Sequence, residues 1–253
     1  MKSVILCEGP DDLWFLSYYL YKAHGWNKCN VQKHIWRNYE IVPLNSKQHV
    51  NYMRKDHSCV AIWCVAGKDS FETAVRVIFD KIIQDFPIDP IDSVVLVADR
   101  DHDDVESRIS DIQTWLPCET NLSNKSTKIL QVVVDEQVVN IRFTPVIIPF
   151  DQDGAIETLL MSAIKESGEA GEQVVSAACE YVTDLADNKM VKDAYLKHER
   201  LLLKATYDAT IAITNPGHST GLFQDMVMAC PWEESEHVKQ HFDVSVKTSV
   251  DLR

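Results

Sequence analysis

The stretch Ser93–Asp104, SVVLVADRDHDD, decides the fold. Val94 to Ala98 carries no polar side chain, and a strand apolar at every position is buried on both faces, as in a parallel sheet covered by helices on each side. The run ends abruptly in Asp99 and Asp101, two residues apart, so on an extended chain their side chains project the same way. Ser3–Asp12, SVILCEGPDD, repeats the design: an apolar run, then Glu8, Gly9 and two aspartates. Ligands of open α/β sheets gather at the carboxyl ends of the strands. The two stretches therefore predict one crevice holding Glu8, Asp12, Asp99 and Asp101.

Outward from these, further strands are predicted at Glu40 to Leu44 and Cys59 to Val65. A hairpin is predicted from Ile129–Val134 and Val138–Phe143, and a last strand from Pro145 to Phe150. Helices alternate with them. One runs from Asp11 or Asp12, as N-cap, to His24 with Gly25 as its stop. Another starts at Asp69 or Ser70 and runs from Phe71 to Gln84, ended by Pro87 and Pro90, and a third spans Asp103–Leu116. Alternation of this kind implies a βαβ fold with a mainly parallel sheet. Glu119–Thr127, rich in Ser, Asn and Thr, reads as an insertion. From Gly154 the period turns helical, with helices predicted to Ile164, over Glu172–Leu185 and, unbroken, over Lys189–Ile213. The organisation is then a core over residues 1–160 with a hairpin insert at 119–150, a helical extension over 161–214 and an irregular tail over 215–253.

The chain has 253 residues, 45% of them hydrophobic. It shows no signal-like start and no apolar run long enough for a membrane span, so a cytoplasmic protein without membrane contact is expected. Seven cysteines without a C-x-x-C pair read as reduced core thiols. A net charge of -13 argues against indiscriminate nucleic-acid coating, though not against a local site. Lys22–Lys55 holds seven Lys/Arg against the single acid Glu40. Its aromatics Trp26, Trp36, Tyr39 and Tyr52 read either as bases' stacking partners or as buried anchors.

Like charges held together disfavour each other unless a cation neutralises them. Oxygen ligands suit Mg²⁺ or Mn²⁺ better than zinc, and Gly9 fits a turn where backbone approaches an anionic ligand. An apolar strand ending in Glu-Gly, followed about 90 residues later by one ending in Asp-x-Asp, resembles the Toprim domain of bacterial primases, topoisomerases, rRNA maturases and OLD-family nucleases. The likeness covers about residues 1–160. CEGPDD resembles the stand-alone and OLD-type versions, with Asp12 as the acid four residues after the glutamate. VAGKDSF (Val65–Phe71) resembles their Gly-Lys-Asp turn, and FDQDGAIETLL (Phe150–Leu160) their later acidic motif, with Glu157 closing the metal site. The family more often carries a second acid where Ala155 stands, which leaves one or two ions open; Asp151 or Asp153 are the compensating candidates.

That resemblance implies a Rossmann-like Toprim fold with a C-terminal helical extension and a Mg²⁺-dependent nuclease acting on DNA or RNA, tRNA included. Asp99, Asp101, Asp12 and Glu157 would hold the ions, with Glu8 as a further ligand or general acid/base. Lys204, on the helix after the core, would offset transition-state charge. Lys68 and Lys197 would contact nucleic acid, Lys197 and Lys204 being seven apart on similar helical faces. His102 reads as a phosphate contact or a plain surface residue. The chain has no Gly-x-x-x-x-Gly-Lys-Ser/Thr. The resemblance therefore implies a separate ATPase partner and a role in defence against phage. A homodimer is the default assembly in general. Two alternatives stay open: a non-catalytic Toprim-like binding or regulatory module, and a receiver-like phosphoacceptor. Gly217–Gly221, GHSTG, fits the spacing of a nucleophile elbow without the strand-turn-helix around it.

Overall fold

The computed structural model describes residues 1–30, 41–85, 90–215 and 231–249. Strands β1 (Lys2–Cys7), β2 (Asn27–Lys28), β3 (His49–Lys55), β4 (Ser58–Cys64), β5 (Ser93–Asp99), β6 (Lys128–Val134) and β7 (Gln137–Ile148) form one sheet in the order β2-β3-β4-β1-β5-β7-β6. The four central strands, β4, β1, β5 and β7, run parallel; β2 and β3 at one margin and β6 at the other pair antiparallel. The chain is thus mixed α/β, a mostly parallel sheet flanked by helices.

The uniform apolarity of β1 and β5 follows from burial on both faces. Ile5, Cys7, Val95 and Val97 enter one core, where α1 (Pro10–His24), α5 (Ile156–Glu166) and α8 (Glu199–Thr214) pack. Val4, Leu6, Val94, Leu96 and Ala98 enter the other, covered by α2 (Phe71–Val77), its continuation through a π turn into α3 (Ile83–Asp85), and α4 (Val105–Thr114). No helix among the described residues is long and apolar enough to cross a membrane.

Several expectations need correction. The strand predicted at Glu40–Leu44 is absent over 41–44, with Glu40 outside the described residues. The pairing partner of β4 is instead β3, HVNYMRK, whose mixed polar pattern fits a strand half open to water, with only the two residues of β2 beyond it. The two strands predicted at Val138–Phe143 and Pro145–Phe150 are one, β7. Pro145 does not break it, because its nitrogen side faces the edge beyond Lys128–Phe143, where β6 has ended. The hairpin turn is Asp135-Glu136, both at positive φ as a two-residue type I′ turn requires.

The helix predicted over Lys189–Ile213 is two helices, α7 (Lys189–Tyr195) and α8, separated at Leu196–His198, where neither Gly nor Pro signals the break. The helical segment is no appendage: Ile164, Val175, Tyr207 and Ile211 share a core with Ile5 and Val95. α6 (Glu169–Asp187) packs on α5 and α8.

The tail is not irregular throughout. α9 (Glu236–Ser249) lies on the sheet and buries Val238, Phe242 and Val246. Phe242 packs tilted against Phe15 with ring centres 5.1 Å apart, and the Tyr19 hydroxyl donates to Asp243 at 2.7 Å. Its apolar stripe is one residue wide, at a spacing of four, which hid it among charged neighbours. Trp26 and Tyr52 are buried anchors. Cys7, Cys59 and Cys64 are buried and Cys179 is exposed, all four outside any disulfide. Trp36, Tyr39, Cys230 and GHSTG lie outside the described residues.

Candidate active site

Glu8, Asp12, Asp99 and Glu157 come from the residue after β1, the first turn of α1, the end of β5 and the first turn of α5. All four are buried, at 3%, 5%, 2% and 4% exposure. Carboxylates are almost never this buried unless paired, and here the pairing is incomplete. Glu8 Oε2, Asp12 Oδ1 and Asp99 Oδ1 are buried with no hydrogen-bond partner.

Local sequence holds each acid in place. Gly9 caps α1 with Pro10 at its first position, and the Gly9 amide donates to Asp12 Oδ2 at 2.7 Å. Neither Asp11 nor Asp12 is the cap. Gly9 has extended backbone, so no positive φ demands it. A β-carbon there would sit 3.2 Å from Asp12 Oδ2, so glycine admits the carboxylate rather than a tight turn. Asp99 is fixed through its carbonyl, which accepts from the buried Arg108 at 3.2 Å.

Asp101 does not continue the strand. Its φ is 54°, in the left-handed region Asp tolerates, and it forms an antiparallel bridge with Gly154 through two 2.7 Å hydrogen bonds. Asp99 and Asp101 therefore do not project together as extended residues: Asp99 is buried below, and Asp101 lines the cavity above.

Two cations of α8 cover the acids. Arg200 reaches Glu8 Oε1 at 3.4 Å and Asp99 Oδ2 at 3.6 Å. Lys204, one turn on, reaches Glu157 Oε1 at 3.3 Å and Asp11 Oδ2 at 3.6 Å. Leu203 and Tyr207 of the same helix face the core, which aims the neighbouring stripe at the acids. Lys204 was predicted from sequence; Arg200 was not, although it stands four residues before Lys204, on the same stripe.

The electrostatics follow from this burial. Desolvation first, then Asp12, Glu8 and Glu157, pushes Asp99 well above the usual carboxylate range, against Arg200. Desolvation raises Glu8, opposed by Arg200 and assisted by Asp101. Asp12 is pushed up to about 7 by desolvation, held back by the Gly9 amide and raised further by Glu8 and Glu157. Burial disfavours the charge on Arg200, yet Glu8 and Asp99 prevail and raise it.

Above the cluster opens a cavity of about 860 Å³ lined by Glu8, Lys68, Asp101, His102, Lys197 and Arg200. Lys68 belongs to the Gly67 turn, where Gly67 sits at φ 113° and its amide donates to the Glu8 carbonyl at 3.0 Å. Lys197 precedes α8, so it does not share a helix with Lys204 as the seven-residue spacing suggested. His102 pairs with Glu199 at 2.7 Å and Asp153 at 3.8 Å. Asp153 also pairs with Arg100 at 3.0 Å, and Asp151 turns away toward His241.

The donors are all oxygen, which suits a hard divalent ion, and three of them are orphaned. They are not drawn together as ligands of one ion: among the described residues, only Asp151, His237 and His241 offer three ligand atoms mutually within 4.8 Å. Arg200 and Lys204 stand against the acids instead.

A family model described as Protein of unknown function (DUF3226) matches residues 2–244. No curated protein matches the chain. Among solved structures, a hypothetical protein from Pyrococcus horikoshii OT3 is similar at 15% identity and a TM-score of 0.47, over 92% of this chain and 98% of that one.

Proposed function

We propose that this chain, which belongs to the DUF3226 family, is a Toprim-type, Mg²⁺- or Mn²⁺-dependent nuclease of the cytoplasm that hydrolyses phosphodiester bonds of DNA or RNA. One observation carries the reading: buried carboxylate oxygens without partners, from the residue after β1, from α1 and from β5, gathered at the carboxyl end of a parallel sheet beneath two cations. Such a cluster is costly without a function that uses it.

Glu8, Asp12, Asp99, Asp101 and Glu157 are the residues that would hold the ion or ions. Mg²⁺ bound there would supply Lewis acidity toward a phosphoryl oxygen and an acidified water. The remaining work falls to the chain. Glu8, raised by burial and lining the cavity, is either a further ligand or, where it does not ligate, the group that holds a proton and passes it to a leaving oxygen. Arg200 and Lys204 are fixed charges placed to meet phosphoryl negative charge. Lys68 and Lys197, both in the cavity lining, supply the sequence-independent grip that nucleic-acid phosphates need.

A second reading, a non-catalytic Toprim-like binding or regulatory module, is favoured by one feature. Arg200 and Lys204 already neutralise part of the cluster without an ion. Mg²⁺- and Mn²⁺-dependent cleavage of plasmid, linear DNA and total tRNA, compared with Glu8→Gln and Asp99→Asn, separates the two. Cleavage lost in both variants supports the nuclease; divalent binding without hydrolysis supports the module. With no phosphate-binding loop for ATP in the sequence, the nuclease reading includes a separate ATPase partner in phage defence. A pull-down from the native host that recovers no ATPase counts against that part.

A further inference from the structure

We propose a second metal site, independent of the nuclease reading, in which Asp151, His237 and His241 hold one borderline divalent ion of the Zn²⁺ class and clip α9 to the end of β7. One ligand atom from each lies within 4.8 Å of the others. His237 and His241 are one turn apart on α9, the spacing that puts two imidazoles on one helix face. Asp151 arrives from the opposite side, three residues after β7 ends.

The hydrogen bonding prepares the pair for an ion. His241 is fully buried, and its Nδ1 lies 2.8 Å from the His237 carbonyl, which only a protonated Nδ1 can satisfy. That leaves the Nε2 lone pair facing Asp151 Oδ1 at 3.7 Å, with only a long 3.4 Å contact from the Phe150 amide. An imidazole held by a backbone carbonyl through one nitrogen and free to ligate through the other is the usual arrangement around zinc. His237 Nε2 is buried and has no partner at all. Two ligands about 2.0–2.1 Å from a tetrahedral ion sit about 3.3 Å apart, so side-chain adjustment alone closes the set.

Two imidazoles and one carboxylate select Zn²⁺, Co²⁺ or Ni²⁺ over Mg²⁺ and Ca²⁺, which prefer oxygen throughout. Lys125 opposes the ion, since its charge acts on Asp151. Its ammonium is nevertheless engaged, donating to the Gln240 carbonyl at 2.9 Å and resting 3.9 Å from the centre of the Phe150 ring. The site would tie the carboxyl end of β7 to a helix near the end of the chain.

The test titrates Zn²⁺ and Co²⁺ into the chelator-stripped full chain by calorimetry and by the visible absorption of Co²⁺. With millimolar Mg²⁺ present to occupy the acidic cluster, one equivalent is expected to bind wild type without being displaced, and to raise Tm. Asp151→Asn and His237→Gln, at positions that are not fully buried, are expected to weaken Zn²⁺ binding at least tenfold and to abolish the Tm increase. Glu8→Gln, in the acidic cluster, is expected to bind Zn²⁺ as wild type does. Wild-type affinity in both Asp151→Asn and His237→Gln, or no uptake by the native chain, overturns the proposal. So does loss of Zn²⁺ in Glu8→Gln alone, which would put the ion in the acidic cluster.

Discussion

Replacing Asp12 with asparagine stabilises the metal-free protein, and by more at pH 8 than at pH 5.5. The folded chain pushes this carboxyl up to about 7, burial being the main cause, whereas in the unfolded chain it titrates near 3.9. A carboxyl raised by folding is fully compatible with the fold below its unfolded value, and stability is lost as pH rises through the folded one. The linkage integral puts the loss on the order of 4 kcal/mol at pH 8 and about 2 kcal/mol at pH 5.5. Asparagine keeps an oxygen for the Gly9 amide now 2.7 Å from Asp12, and the help that this bond gives the charged carboxylate is already contained in the raised value. The net gain is then about 4 kcal/mol at pH 8 and about 2 kcal/mol at pH 5.5. Urea unfolding in EDTA at the two pH values reads both numbers. The difference between wild type and variant isolates Asp12 from His24 and His241, which burial shifts downward. A variant that is less stable than wild type at pH 8, or a difference that does not change with pH, would refute the account of a buried, mutually repelling cluster.

Arg200→Ala should lower metal-free stability by about 1–2 kcal/mol, the buried-pair cost discounted because Arg200 is half exposed. It should also lower Mg²⁺-dependent cleavage at least 100-fold, with Arg200→Lys recovering part of both; unchanged urea midpoints would remove Arg200 from the cluster. Gly154→Ala should cost about 3 kcal/mol in thermal or urea melts, because its φ is +137° and a β-carbon would meet Thr158 Oγ1 at 2.1 Å. Its bridge to Asp101 should be strained with it, so the variant should lose cleavage even where it remains folded. Phe242→Ala should cost about 3–5 kcal/mol, as a fully buried aromatic against Phe15 and Tyr19. A loss under 1 kcal/mol would mean that α9 does not belong to the core.

What could be read from the chain and what could not divide along physical lines. A strand buried on both faces writes itself as an apolar run, so β1, β4 and β5 were legible, and with them the parallel centre and the end of the sheet where Glu8 and Asp99 emerge. β3 was not, because a strand half open to water near the margin of the sheet is specified by its partner as much as by its own residues. The acids were legible because carboxylates are conspicuous at the ends of apolar runs. Their orientation was not: Asp99 and Asp101 share a side only on extended backbone, and Asp101 at φ 54° breaks the alternation on which side-chain parity depends.

The cations show the same division from the other side. Lys204 stands out only by resemblance, since a lysine on a helix is ordinarily a solvated one, and the seven-residue spacing points to Lys197 rather than to Arg200. Spacing alone favoured Lys197 because Lys189–Ile213 reads as one periodic segment. The break at Leu196–His198 is imposed by packing: Leu196 is buried and Leu203, Tyr207 and Ile211 dock on the sheet's core, so α8 starts afresh at Glu199. Once that docking face is set, the adjoining stripe at intervals of four is Arg200, Lys204 and Asp208, and it is this stripe, not the one through Lys197, that the core turns toward Glu8, Asp99 and Glu157. A periodicity argument therefore needs the core face first and the polar face second. Read in that order, Leu203, Tyr207 and Ile211 would have singled out Arg200 from the sequence.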